Sequence, residues 1–297
     1  MKFETVKLVQ KDCFNLKDIF ECGQCFRWTQ EEDGSYTGIV KIGVLNISYI
    51  KDEIMVKGYV EDKTSLKEFV IDYLDLNKDY KNIQKEISTN DSVMKDAIRF
   101  GNGIRILNQD SWEMLISFII SAANNIPRIS KCINNISKEY GKKVVIPQDI
   151  QNKLFKFGKK ENTFYLFPSA KELSKATMEE LRDCNLGFRD KYVLKSAQLV
   201  SNKKINLNEI EELEYKTAKK ELVNIDGVGS KVADCILLFS MKKSEAFPVD
   251  TWIKKIMNEI YIDSQNVKKI NDYAYKKWGL NSGIAQQYLF NYMRNKS

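Results

Sequence analysis

The stretch "LVNIDGVGSKVADCILLFS", Leu222 to Ser240, decides how the rest of the chain is read. Residues at helical spacing run up to Ile225, Asp226-Gly227-Val228-Gly229 make a tight turn, and Ser230 is placed to N-cap a second helix. The two glycines permit positive φ and let the backbone come close to something. Turn amides followed by a helix N-terminus can hold a phosphate group without reading a base. On these residues alone, that reading and a plain glycine turn in a helical bundle both stand.

The next residues add chemistry. Lys231 opens the second helix, and Cys235 follows one turn later on the same face. "AFPVDTWIKKIM" then brings Pro248, Val249 and Asp250, with Asp250 set to cap a further helix, a cap worth only ~1 kcal/mol. The helix macrodipole disfavours a cation at a helix start, so a lysine there calls for a reason. With a carboxylate nearby, it is a credible amine nucleophile. The chain contains 0 His, so Ser-His-Asp and Cys-His nucleophile systems and His-containing zinc sites cannot be built.

Working outward, 297 residues with 43% hydrophobic and 29% charged side chains can bury a sizeable core. No apolar run approaches the ~20 residues that span a bilayer, and the N-terminal "MKFETVKLVQKDC" lacks the apolar core of a secretory signal. A reducing cytoplasmic setting is expected, with the six cysteines as thiols. The net charge of +7 suits a polyanionic partner if the charges cluster. Ser35–Val60 alternates and is rich in β-branched and aromatic residues, which predicts two or three antiparallel strands. Ser65–Leu76 has helical periodicity. So do the segments beyond Asn108: Ser111–Asn125 with Ser111 as its cap, Ile126–Gly141 starting at Pro127, and a capping-box spacing from Thr177 to Glu180. The expected fold is α+β: an N-terminal antiparallel β-sheet portion with flanking helices over residues 1–105, then an all-α helix-hairpin-helix domain over 106–297.

"FECGQCFRW", Phe20 to Trp28, carries a C-x-x-C at Cys22 and Cys25. A structural zinc site needs four ligands, and there is neither a second C-x-x-C nor a histidine to complete one. A redox dithiol would want a βαβ context, which is not evident.

G-V-G-x-K-V-A-D-C, followed by a P-V-D that ends nineteen residues after the lysine, resembles the signature of the helix-hairpin-helix–Gly/Pro/Asp superfamily of DNA glycosylases. More narrowly, the chain resembles the 8-oxoguanine DNA glycosylases. "GQCFRW", "SFIISAANNIPRI", "LGFRDKYV" and "WGLNSGIAQQYLF" match further family blocks in the correct order, so the likeness spans nearly the whole chain. The resemblance implies that Lys231 attacks C1′ of the damaged nucleotide and forms a Schiff base that allows strand cleavage by β-elimination. It makes Asp250 the group that stabilises positive charge on the sugar. Cys235 and Phe290 would sandwich the extruded base, and Gln286 would bind its Watson–Crick edge. The Gly23 carbonyl would accept the N7–H that 8-oxoguanine has and guanine lacks, which leaves Cys22 and Cys25 as flanking residues. The hairpin residues Gly227, Val228 and Gly229 would hold DNA phosphate.

Around the orphaned cytosine the family places three asparagines and two arginines. Here the run is Ala123, Asn124, Asn125, with Arg128 and Arg189 at the arginine positions and Phe188 as the wedging aromatic. Alanine at the first position implies a relaxed preference for cytosine. Trp252 stands where many relatives have a phosphate-touching histidine. The resemblance implies no required cofactor, no catalytic metal and, without a C-terminal four-cysteine array, no iron–sulfur cluster. It does imply a structural Na or K ion at the carbonyls of Val223, Ile225 and Val228. The implied partner is double-stranded DNA containing 8-oxoguanine, with no membrane, a monomeric state and a pocket between the two portions. Cytoplasmic localisation follows, at the nucleoid in a prokaryote. The alternatives are a related glycosylase for alkylated purines or another oxidised base and a non-catalytic module that binds only DNA backbone; enzymes acting on alkylated bases often lack the lysine, and the module has no use for Lys231 and Asp250 together.

Overall fold

The structure, a computed structural model, describes residues 1–9, 12–50, 53–156 and 161–296. It is α+β, and the chain packs into two compact units, each assembled from three separated stretches. One unit comprises residues 1–11, 25–73 and 119–205, and the other 12–24, 74–118 and 206–297. A division at residue 105 cuts along the sequence, whereas these units interleave.

The first unit is built on a five-stranded antiparallel sheet in the order β1-β5-β4-β3-β2. Its strands are β1 (Lys2–Val9), β2 (Trp28–Gln30), β3 (Tyr36–Val40), β4 (Gly43–Ile50) and β5 (Glu53–Val60). The run Ser35–Val60 supplies three of them, and its Lys51 and Asp52 lie outside the described residues. Lys41 and Ile42 join β3 to β4, with Val40 opposite Gly43. β1 pairs with β5 from Lys2↔Val60 to Val9↔Glu53. Only Leu8 of β1 is fully buried, so its sequence carries little of the apolar alternation that marks inner strands, and its lysines and glutamate blunt a sheet edge. A second, two-stranded sheet pairs β6 (Lys143–Val145) with β7 (Thr163–Tyr165).

Helix ends in this unit follow their local chemistry. Ile126–Tyr140 begins where the Asn125 side chain accepts from Arg128 N–H, holds Pro127 in its first turn, and stops at Gly141. The capping box at Thr177 and Glu180 forms in full.

The second unit is helical, and its helices Tyr215–Val223 and Ser230–Ser240 flank the hairpin at 224–229. Two expected caps are corrected. Gly229 rather than Ser230 is the N-cap of Ser230–Ser240, with no side-chain cap bond, because the serine already has helical backbone. At Ser111–Ile120 the Asp110 carboxylate, not Ser111, accepts the Glu113 N–H at 3.0 Å. That helix stops at Ile120, short of Asn125.

The hairpin's two helices are locked by a buried polar cluster. The Asp234 carboxylate is 1% exposed and accepts from Tyr215 Oη at 2.8 Å and from Lys219 Nζ at 2.7 Å. Burial outweighs Lys219 and Tyr215 and pushes the Asp234 carboxyl up to about 6. In the unfolded chain an aspartate titrates near ~3.9. Because the folded value is raised, the stability this group contributes is fully present below the unfolded value and is lost as pH rises through about 6. In urea unfolding, the advantage of wild type over Asp234→Asn should therefore shrink between pH 4 and pH 7. An advantage that grows over that interval would contradict the assignment.

Candidate active site

Three side chains meet at the start of the Ser230–Ser240 helix. Lys231 is half-buried, and its Nζ lies 5.5 Å from the centroid of the Phe118 ring, which stacks on Phe239. Cys235, 3% exposed, is one turn on, close enough for the Lys231 charge to act on its thiol. Burial pushes that thiol up to about 11, Lys231 opposes the shift, and the charges of Asp234 and Asp250 add to it. Asp250 reaches the same place as the N-cap of the Thr251–Ile256 helix, its carboxylate accepting from Ile253 N–H at 2.8 Å. Burial raises the Asp250 carboxyl above the ordinary range, against the Ile253 N–H and the positive charge of Lys231. The arrangement is an amine, a thiol and a desolvated carboxylate within electrostatic reach of one another.

The Ser282–Lys296 helix brings two more of the expected residues into this unit. It can sit close because Gly283 has no side chain. A Cβ there would lie 2.4 Å from the Ala246 carbonyl oxygen and 2.5 Å from Leu238. Further along, Gln286 is 4% exposed, and its Oε1 has no hydrogen-bond partner among the described residues. Phe290 is half-buried, with the Arg294 guanidinium 5.5 Å from its ring centroid.

Gly23, at φ +90°, turns the chain just after the short helix Leu16–Glu21. The turn is held by residues the sequence did not single out. Gln24 is fully buried; its Nε2 donates to the carbonyls of Ile19 (2.9 Å) and Arg105 (2.8 Å), and its Oε1 accepts from Leu107 N–H at 2.9 Å. From the far end of the chain, Gln287 Nε2 donates to the Cys22 carbonyl at 2.8 Å. Little in the sequence signals them, because a glutamine is ordinarily a surface residue. Cys22 and Cys25 are buried, and burial pushes the Cys22 thiol up to about 11, far from the reactive range. Among the described residues, no group of three or more Cys, Asp or Glu is placed to hold a metal ion.

In the hairpin, Gly227 has φ +86° and Val228 N–H donates to the Ile225 carbonyl at 3.0 Å. Gly229 is exposed, and a Cβ built on it would meet nothing within 4 Å, so its backbone faces open space. Trp252 is half-buried on the Thr251–Ile256 helix.

The residues expected at the opposite strand belong to the first unit. Ala123 is exposed and adopts φ +49°, a left-handed conformation unusual for alanine. Asn124 donates to the Ile120 carbonyl at 3.0 Å, and Asn125 caps the next helix with Arg128 exposed in its first turn. Arg189 is 3% exposed and spends its guanidinium on the carbonyls of Ala122, Ala123 and Leu186. Phe188 is 58% exposed, with the Arg189 guanidinium 4.3 Å from its ring centroid.

Comparison with known proteins places these features in one family. Residues 6–115 match the family described as 8-oxoguanine DNA glycosylase, N-terminal domain. Residues 116–279 match the HhH-GPD superfamily of base excision DNA repair proteins. The crystal structure of Clostridium acetobutylicum 8-oxoguanine glycosylase/lyase, in complex with double-stranded DNA containing cytosine opposite 8-oxoG, is 41% identical, with a TM-score of 0.86. The alignment covers 100% of this chain and 99% of that one. N-glycosylase/DNA lyase OGG1 of Arabidopsis thaliana is 30% identical over 91% of this chain and 75% of its own length. N-glycosylase/DNA lyase of Saccharomyces cerevisiae is 28% identical, covering 98% and 86%. Matched along both its N-terminal and its helix-hairpin-helix portions, this chain belongs to the 8-oxoguanine DNA glycosylase family of the HhH-GPD superfamily.

Proposed function

We propose that this chain flips 8-oxoguanine out of duplex DNA, excises it and cleaves the abasic site by β-elimination. The observation that carries the reading is the meeting of Lys231, Cys235 and the desolvated Asp250 at one helix start. The Lys231 amine, in its free form, attacks C1′ of the damaged nucleotide as the glycosidic bond breaks and the base departs. Asp250 stabilises the positive charge that develops on the sugar, and its burial strengthens that effect. The sugar ring then opens: the C1′–O4′ bond breaks, O4′ takes a proton, and the iminium left at C1′ acidifies C2′, so that loss of a C2′ proton expels the 3′ phosphate.

Recognition is assigned to the same unit. Cys235 and Phe290 flank the base, and the unpartnered Oε1 of Gln286 offers an acceptor to its Watson–Crick edge. The Gly23 carbonyl accepts N7–H, which guanine cannot supply. Gly227, Val228 and Gly229 are assigned to a DNA phosphate, with the Gly227 and Gly229 amides as the donors, since Val228 N–H already donates to the Ile225 carbonyl. The carbonyls of Val223, Ile225 and Val228 are the candidate ligands of a structural Na or K ion. On the other unit, Asn124, Asn125, Arg128 and Arg189 are assigned to the opposite strand, and Phe188 is the wedge. No cofactor is required, since the electrophile is the sugar and the nucleophile an amine. The reading describes a monomer acting on DNA in the cytoplasm, at the nucleoid in a prokaryote. Among the described residues, no helix is long and apolar enough to cross a membrane.

Three outcomes test this. Borohydride added to a duplex with one 8-oxoguanine should trap a covalent adduct with wild type and none with Lys231→Gln. Base release by both proteins without an adduct from either would leave Asp250 activating water instead. Excision should also fall on the acid side with an inflection above the ~3.9 of an ordinary aspartate, because Asp250 must be ionised and its carboxyl is raised. An inflection at or below that value would remove the carboxylate from the mechanism. Finally, cleavage opposite each of the four bases should show a weaker cytosine preference than in Ala123→Asn, by up to ~1–3 kcal/mol. An equal or stronger preference in wild type would count against a role for position 123.

A further inference from the structure

Gly23 is a glycine at φ +90° in a stretch with no helix or strand to fix it, yet the proposed discrimination needs its carbonyl aimed to within the tolerance of one hydrogen bond. A free turn of this kind would let the carbonyl swing, since glycine resists no rotation. On its C-terminal side the turn is held by Gln24, which is fully buried and bonded to Ile19, Arg105 and Leu107. On its N-terminal side the Cys22 carbonyl is held by one side chain, Gln287, itself 2% exposed, at 2.8 Å. Gln287 neighbours Gln286, and Phe290 lies one turn on from Gln286 along the same helix. Arg294, a further turn on, donates to the Glu21 carbonyl at 2.5 Å while its guanidinium lies over Phe290. One helix therefore carries both residues assigned to the base and two residues that grip the backbone just before Gly23.

We propose that Gln287 is a specificity-positioning residue, which fixes the peptide before Gly23 so that the Gly23 carbonyl meets the N7–H of 8-oxoguanine. It touches no substrate and acts through the turn. Arg294 supports the same link from the next turn of the helix. This inference rests on the assignment of the Gly23 carbonyl made above and adds the device that aims it. The physical reason for a glutamine is specific. The Cys22 carbonyl is buried, and a buried carbonyl without a donor turns to find one, which rotates the adjoining peptides. A methionine of similar length fills the same volume and donates nothing.

The test compares wild type and Gln287→Met on two duplexes. One carries 8-oxoguanine; the other carries a preformed abasic site, whose cleavage needs Lys231 but no base in the pocket. The expected result is a loss of about tenfold or more in 8-oxoguanine excision, with abasic-site cleavage and borohydride trapping there unchanged within about twofold. A merely structural role would lower both activities together, and that outcome overturns the proposal. So does an excision rate equal to wild type. Gln287→Ala is the second variant should the methionine protein not fold, with the same expected split. If wild type itself releases no 8-oxoguanine while cleaving the abasic site, the substrate assignment fails and this inference falls with it. If wild type releases it and the variants lose nothing, only the inference fails.

Discussion

The helical unit depends on a constraint that regular secondary structure cannot meet: buried backbone without a ladder must still satisfy its N–H and C=O groups. Residues 22–24 and 104–107 run through it with neither helix nor strand. Their partners are side chains of unusual depth. Arg105, 2% exposed, donates to the carbonyls of Cys13 (3.2 Å), Asp75 (2.7 Å) and Asp12 (3.1 Å), and its guanidinium sits 4.4 Å from the Tyr80 ring centroid. Tyr80 Oη accepts from Ile106 N–H, Tyr288 Oη donates to the Ile104 carbonyl, and Gln109 Nε2 donates to the Gln24 carbonyl. Leaving a buried member of this set, such as the Asp75 or Ile104 carbonyl, unpaired would cost on the order of 1–3 kcal/mol. The network explains how a glycine turn near the start of the chain is held by residues from its middle and its end.

The parts that were legible in the sequence are those whose physics is local. Asp250 is an N-cap because an aspartate before "TWIKKI" has an amide three residues on to bind. The hairpin at Gly227 and the capping box at Thr177 are similarly short-range. Ser230 misled because a serine at a helix start is a good cap in isolation, while the preceding glycine turn set the helix one residue earlier. β1 went unread because an edge strand needs no apolar face of its own kind, and its pairing with β5 spans some fifty residues of chain. Gln24 and Gln287 were invisible for a different reason. A glutamine reads as surface unless its buried partners are known, and those partners are backbone atoms from distant stretches. The residues assigned to chemistry were found through short motifs, and the residues that hold them were not.

The loop at Ala123 shows the same economy of buried donors. Left-handed backbone costs an ordinary L-residue roughly 1–2 kcal/mol, and asparagine tolerates it better than alanine. Here alanine occupies the position at φ +49°, and three donations from Arg189 to the carbonyls of Ala122 and Ala123 hold the backbone in place. The arginine is 3% exposed, and burial lowers its proton affinity together with the nearby Arg128 charge. A guanidinium committed to two adjacent carbonyls has few N–H groups left to offer a base. Asn125 and Arg128 next to this loop are exposed, as is the Phe188 ring beside Arg189, and Asn125 already caps a helix. Arg128 is exposed in the first turn of the next helix, while Arg189 is buried and fixes the shape of the loop before it. Substitution at position 123 thus bears on two things at once: the direct contact an asparagine would make, and the amount of work Arg189 must do to keep the loop in its left-handed turn.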